Sequence, residues 1–162
     1  MKEDFLYYLW KFQKFDSECL RTSEGEPLQI ISTGSQNDLS GPDFFNAHLI
    51  ITGIKWAGNV EMHLKSSDWY LHHHETDPAY DNVILHVVWE HDENIFRRNG
   101  SLLPVFELKN IVDFSMIAKY LHLLESRHHS INCEDSFSEF SSFEIDHWFE
   151  RLYFERLERK SA

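Results

Sequence analysis

A chain of 162 residues with 42% hydrophobic and 15% aromatic side chains is long enough to bury about two-thirds of its unfolded surface, and too aromatic for a disordered segment. No run approaches the ~18 apolar residues of a membrane span, and Glu3 and Asp4 stand where a signal peptide carries basic residues, so the chain reads as cytoplasmic with no membrane partner. A net charge of −12, from 15 basic and 27 acidic residues, argues against non-specific binding to DNA, although metal-dependent nucleases concentrate carboxylates too.

Phe5, Tyr8, Leu9 and Phe12 recur at helical spacing and predict an N-terminal helix with one apolar face. A polar stretch, Asp16 to Glu26, precedes a short strand at Leu28–Ile31, closed by Thr33-Gly34-Ser35. Gln36 to Pro42 is turn chemistry and reads as a loop that delivers Asp43 to the head of a strand, Phe44 to Ile51. Thr52-Gly53 makes a turn, Trp56 leads to Gly58, and a second strand runs from Asn59 to Lys65, antiparallel to the first. On that strand Val60, Met62 and Leu64 alternate with Asn59, Glu61, His63 and Lys65, so four polar groups share one side.

Ser66-Ser67-Asp68 caps a short helix over Trp69 to His74, and Asp77-Pro78-Ala79-Tyr80-Asp81 is a turn. Asn82 to Glu90 is apolar on both faces, which predicts a strand near the sheet centre. Asn99-Gly100 is a hairpin-type turn before a strand at Pro104–Leu108. The rest is helical: Met116, Ile117, Tyr120, Leu121 and Leu124 form one stripe. A polar linker from Ser130 to Ser142 leads to a helix marked by Ile145, Trp148, Phe149, Leu152 and Leu157. That helix has no stop signal, so the chain reads as part of a longer helical architecture or as a truncated relative. Cys19 and Cys133 are isolated, which leaves neither a disulfide framework nor a CxxC site. These elements predict an α+β fold, with a core domain over residues 1–128, a linker and helix over 129–162, and a central mixed sheet of about five strands flanked by helices.

The runs Gly41-Pro42-Asp43-Phe44-Phe45-Asn46-Ala47 and Trp56-Ala57-Gly58-Asn59-Val60-Glu61-Met62-His63-Leu64-Lys65-Ser66-Ser67-Asp68-Trp69 resemble a bacterial family of uncharacterised proteins, domain of unknown function 2851. The likeness continues through His72, His74, Asp77-Pro78-Ala79-Tyr80 and Val83 to Val88. It implies a family but no activity. The order helix, three strands, short helix, strand (αβββαβ) is also similar to the core of PD-(D/E)XK nucleases, the restriction-endonuclease-like fold. That resemblance assigns Asp43 and Glu61 as metal-binding acids. It departs from the motif at His63, which stands where the lysine is expected, while Lys65 comes two residues later.

The resulting expectation is a metal-dependent phosphodiesterase or nuclease-like hydrolase. Asp43, Glu61, His63 and Lys65 are its catalytic candidates, and Asp43, Glu61, His63 and His74 its metal ligands. Two carboxylates suit a hard ion, Mg²⁺ or Mn²⁺, ahead of Zn²⁺. His63 or Lys65 would position water and phosphate on a nucleic acid or another phosphodiester. The plainer reading makes Asp43 a turn cap, Glu61 and Lys65 a surface pair, and His72 to His74 loop residues bonded to Asp68 or Asp77. His86, inside the most apolar strand, reads as a satisfied core group. The alternative function is a non-catalytic scaffold that binds a ligand or, through its C-terminal helix, a protein partner.

Overall fold

The computed structural model describes residues 2–125 and 138–161. His128, His129, Cys133 and the greater part of the expected linker, including its boundary after residue 128, lie outside the described residues. By internal contacts the chain divides into Met1–Ala118 and Lys119–Ala162.

In the first unit, helix α1 (Glu3–Lys11) carries Glu3 and Asp4 in its first turn and Lys11 in its last, each at the dipole end that favours it. Its buried residues are Phe5, Leu6, Leu9 and Trp10. The expected stripe is therefore rotated: Tyr8 and Phe12 face outward, and Leu6 and Trp10 take their place. Trp10 explains the rotation, since its Nε1–H donates to the Thr33 carbonyl at 3.0 Å and its ring packs edge-on to Phe106.

The sheet comprises β1 (Leu28–Ser32), β2 (Ser35–Gln36), β3 (Phe44–Ile51), β4 (Ile54–Lys65), β5 (Val83–Glu90) and β6 (Val105–Glu107). The order is β1-β3-β4-β5-β6, with the two-residue β2 also on β3. The β1–β3 and β3–β4 pairs are antiparallel, β4–β5 and β5–β6 parallel, so the sheet is mixed as expected. Thr52 and Gly53 at the β3–β4 turn both have positive φ, 50° and 80°, as tight hairpin turns require.

Strand β4 begins at Ile54 rather than at Asn59. Residues 54–57 are solvent-exposed, so they lack the hydrophobic alternation that marks a strand, yet Trp56 pairs with Leu49 and Gly58 with Ala47. Gly58 is required by close packing: a Cβ there would lie 2.4 Å from Ile84 Cγ2 and 2.7 Å from the Asn82 carbonyl. Strand β5 is buried from Val83 to Val88 and lies between β4 and β6, the interior position its two apolar faces predict.

Register sorts the sheet into two faces. Phe44, Val60, Met62, Leu85, Val87 and Phe106 lie on one, against α1. Glu61, His63, His86, Val88 and Val105 lie on the other, where helix α2 (Asp68–Leu71) places Trp69 in a cluster with Val83, Val88, Ile95, Leu103 and Val105.

Helix α3 (Phe114–Glu125) crosses the division between the units. In the second unit, α4 (Ser142–Ser161) starts with a capping box: Glu144 N–H donates to Ser141 Oγ at 3.3 Å, and Ser141 N–H donates to Glu144 Oε2 at 2.9 Å. None of its residues is buried.

Candidate metal centre

The site begins with a one-residue irregularity. Phe44 pairs with Val60 but Ala47 pairs with Gly58, so β3 carries one extra residue at Phe45–Asn46, where Asn46 adopts φ 56°. Continuing the Phe44–Val60 register outward sets Asp43 across from Glu61. In the register of the hairpin end that place would fall to Phe44. The bulge keeps Phe44 in the core together with Ala47, Leu49 and Ile51, and gives the acid its partner.

Asp43 is held on three sides. Its Oδ1 accepts from Tyr7 Oη–H of α1 at 2.8 Å, and its Oδ2 from the Met62 N–H at 2.9 Å. Its own N–H donates to Glu61 Oε2 at 3.2 Å. Glu61 is 5% exposed, which rules out the surface pair with Lys65.

Two histidines, His63 and His74, approach the other Glu61 oxygen, and a third, His72, meets His63. His63 follows two residues along β4, and His72 and His74 arrive from the end of α2. Helix α2 closes with a Schellman motif: the His74 N–H donates to the Trp69 carbonyl at 3.0 Å and the His73 N–H to Tyr70 at 3.1 Å. His73 occupies the left-handed position, φ 60°, that glycine usually takes. That twist turns His73 outward and lets its two neighbours approach the same point. Neither a straight helix nor an extended strand would align them, which is why the sequence pattern offers His74 but not His72 as a metal ligand. Asp68 and Asp77 meet the histidines through the backbone, His72 N–H donating to the Asp68 carbonyl at 3.0 Å and Asp77 N–H to the His74 carbonyl at 3.3 Å, while their carboxylates accept from the N–H groups of Lys65 and Ala79, respectively.

His63 Nε2 lies 2.9 Å from His72 Nδ1 and 3.6 Å from Glu61 Oε1, and His74 Nε2 lies 3.3 Å from the same oxygen. Ligand atoms of His63, His72 and His74 all lie within 4.8 Å of one another, so this triad can hold a metal ion. His74 is stacked on Tyr80 with ring centroids 3.7 Å apart, and its buried Nε2 makes no hydrogen bond among the described residues. A nitrogen lone pair set beside a carboxylate oxygen is a donor pair that a cation would satisfy. His63 and His74 are buried and His72 is exposed, so the cluster opens to solvent on the His72 side.

Burial sets the protonation of the group. It raises Glu61 to about 9, helped by the nearby Asp43 charge, and raises Asp43 as well. It lowers His63 to about 3, with His74 and His72 adding to the shift, and lowers His74. Near neutral pH the Glu61–histidine contacts are therefore not ion pairs: the carboxyl keeps its proton and the imidazoles keep their lone pairs. A cation would reverse the first and use the second.

Of the residues singled out in the sequence, Asp43, Glu61, His63 and His74 converge. Lys65 does not: it continues the strand alternation but lies on open surface, with Nζ 3.7 Å from Asp92. Tyr7 was missed, as was Glu3, whose carboxyl burial and the Asp43 charge push up. The available signal was their i, i+4 spacing on the flank of α1.

The family profile described as "Protein of unknown function (DUF2851)" matches residues 3–162. The chain belongs to this family. No curated protein and no solved structure matches it. Membership of the DUF2851 family carries no stated activity. Among its described residues no helix is long and apolar enough to cross a membrane.

Proposed function

We propose that the protein is a metal-dependent hydrolase acting on phosphodiesters. The ion would be held by His63, His72, His74 and Glu61, with Asp43 beside them. The observation that carries this reading is the convergence of buried, mutually facing donors, one of them His74 Nε2 with no hydrogen bond, at a point open to solvent through His72. A mixed imidazole and carboxylate set suits Mn²⁺, Fe²⁺ or Zn²⁺ better than Mg²⁺, which prefers oxygen ligands and retains its waters. A bound divalent ion supplies Lewis acidity toward a phosphoryl oxygen and a nucleophile at neutral pH.

The protein's own groups would do the rest. Tyr7 and the Met62 N–H fix the Asp43 carboxylate, and Asp43 N–H in turn orients Glu61. The sequence of helix, antiparallel β1, β3 and β4, then α2 and a parallel β5, with Asp43 heading β3 and Glu61 on β4, supports phosphodiesters as the substrate class. Lys65 has no part in this arrangement.

The test is calorimetric titration of metal-stripped protein with Mn²⁺, Zn²⁺ and Mg²⁺, followed by assay on an activated phosphodiester and on nucleic acid. Glu61→Gln and His74→Leu should each abolish tight binding and cleavage while leaving the circular dichroism unchanged. Normal Mn²⁺ and Zn²⁺ binding by Glu61→Gln would remove Glu61 from the ligand set. A second reading, a scaffold that docks a protein partner on α4, is favoured by the exposure of Phe143, Phe149, Tyr153 and Phe154 along that helix. It would lead if the wild-type protein took up no ion.

A further inference from the structure

Behind the ligand cluster stands a third buried histidine. His86, on β5, is completely inaccessible to solvent, and register places it beside Glu61 on the same face of the sheet. Its Nε2 lies 2.8 Å from His63 Nδ1. Its other nitrogen, Nδ1, has no hydrogen-bond partner among the described residues. Its β5 neighbours Leu85 and Val87 and its cross-strand partner Val105 are all apolar and buried. A half-satisfied imidazole among such neighbours is expensive, and an aliphatic side chain would fill the place at lower cost.

We infer that His86 is a positioning residue of the metal centre: it accepts the His63 Nδ1–H and so fixes His63 in the tautomer whose Nε2 lone pair faces the cation. The inference rests on the metal reading above. A neutral imidazole has one N–H and one lone pair, and both nitrogens of His63 are engaged, Nδ1 by His86 and Nε2 by His72. Without a cation, the proton of each contact can run either way. A cation shared by His63 Nε2 and His72 Nδ1 leaves one arrangement. His63 must carry its proton on Nδ1 and donate it to His86 Nε2, which puts the His86 proton on Nδ1. His72 must carry its own proton on Nε2, where the exposed ring meets solvent.

Each ring keeps one proton, and only its position is set. Metal-bound histidines commonly pass their second N–H to an oriented acceptor, most often a carboxylate or carbonyl. Here an imidazole fills that place, and a neutral acceptor adds no charge behind the ion.

The experiment compares His86→Leu, which removes the acceptor, with His86→Gln, whose amide oxygen can restore it. Zn²⁺ affinity is measured by chelator competition, the Co²⁺ absorption spectrum reports ligand geometry, and imidazole ¹⁵N shifts of the wild-type protein report tautomers. His86→Leu should weaken Zn²⁺ binding about 10–100-fold and alter the Co²⁺ spectrum. His86→Gln should bind close to the wild type. In the Zn²⁺-loaded wild type, the protons should lie on His63 Nδ1 and His86 Nδ1.

Wild-type affinity in His86→Leu would overturn the inference, as would equal loss in both variants or a Zn²⁺-loaded His63 protonated on Nε2. The tautomer measurement decides the matter even if His86→Leu does not fold. Failure of the wild type to bind any ion would instead overturn the metal reading itself, and this inference with it.

Discussion

Between Val60 and His63 the two faces of strand β4 are equally dry and chemically opposite. Val60 and Met62 point toward α1 and bury as completely as any residues in the molecule. Glu61 and His63, interleaved with them, are 5% and 2% exposed on the other face. Burying the first pair stabilises the fold in proportion to apolar area. Burying the second together with the histidines around it costs free energy that hydrogen bonds only partly return, since among the described residues His74 Nε2 and His86 Nδ1 have no hydrogen-bond partner. Equal burial therefore does not mean equal purpose: one face makes the domain stable, and the other keeps a set of donors away from water.

The largest way to test this contrast is Met62→Ala. Truncating a core methionine should lower stability in chemical denaturation by about 2–5 kcal/mol, with metal affinity retained. Loss of metal binding in a still-folded Met62→Ala would mean that the faces are not separable.

A pH series on the metal-free protein sharpens the comparison next. Glu61 is raised from 4.5 to about 9, so its stabilising contribution is complete below 4.5 and is lost as pH rises through 9. His63 is lowered from 6.5 to about 3, so its contribution is complete above 6.5 and is lost as pH falls through 3. The two slopes oppose each other between 4.5 and 6.5; above 6.5 the histidine contribution is complete and the Glu61 loss continues, so stability should fall from pH 6.5 to 9. Saturating Zn²⁺ should lift the alkaline side, because the ion binds the ionised carboxylate. A melting temperature that climbed steadily from pH 5 to 9 without metal would contradict the buried, protonated Glu61.

The smallest effect belongs to Lys65→Ala. Lys65 shares the polar side of β4 in sequence but not its burial, and its pairing with Asp92 is partly exposed. Stability should change by less than about 1 kcal/mol and metal affinity not at all. A clear drop in affinity would return Lys65 to the site.

How much of this was legible in the sequence depended on how local the signal was. Strand β3 falls where turn chemistry and alternation place it, and β5 follows from its two apolar faces. The shared side of Glu61 and His63 needs only the strand period of two. What stayed hidden depends on single backbone angles or on distant partners. His72 and His74 meet because His73 takes a left-handed conformation, and nothing in three consecutive histidines announces that. Tyr7 reaches Asp43 across 36 positions of sequence. The rotation of α1 follows from Trp10 finding the Thr33 carbonyl, a partner outside any helical pattern.

The extra residue at Phe45–Asn46 has a consequence for how such a site can be lost. Excising Asn46 alone would slide the start of β3 by one place. Phe44 would then stand opposite Glu61, and Asp43 would point to the far side of the sheet. Every donor of the centre would still be encoded, and the strands could still pair. One deleted codon could thus take the proposed centre apart while leaving all of its residues readable in the gene.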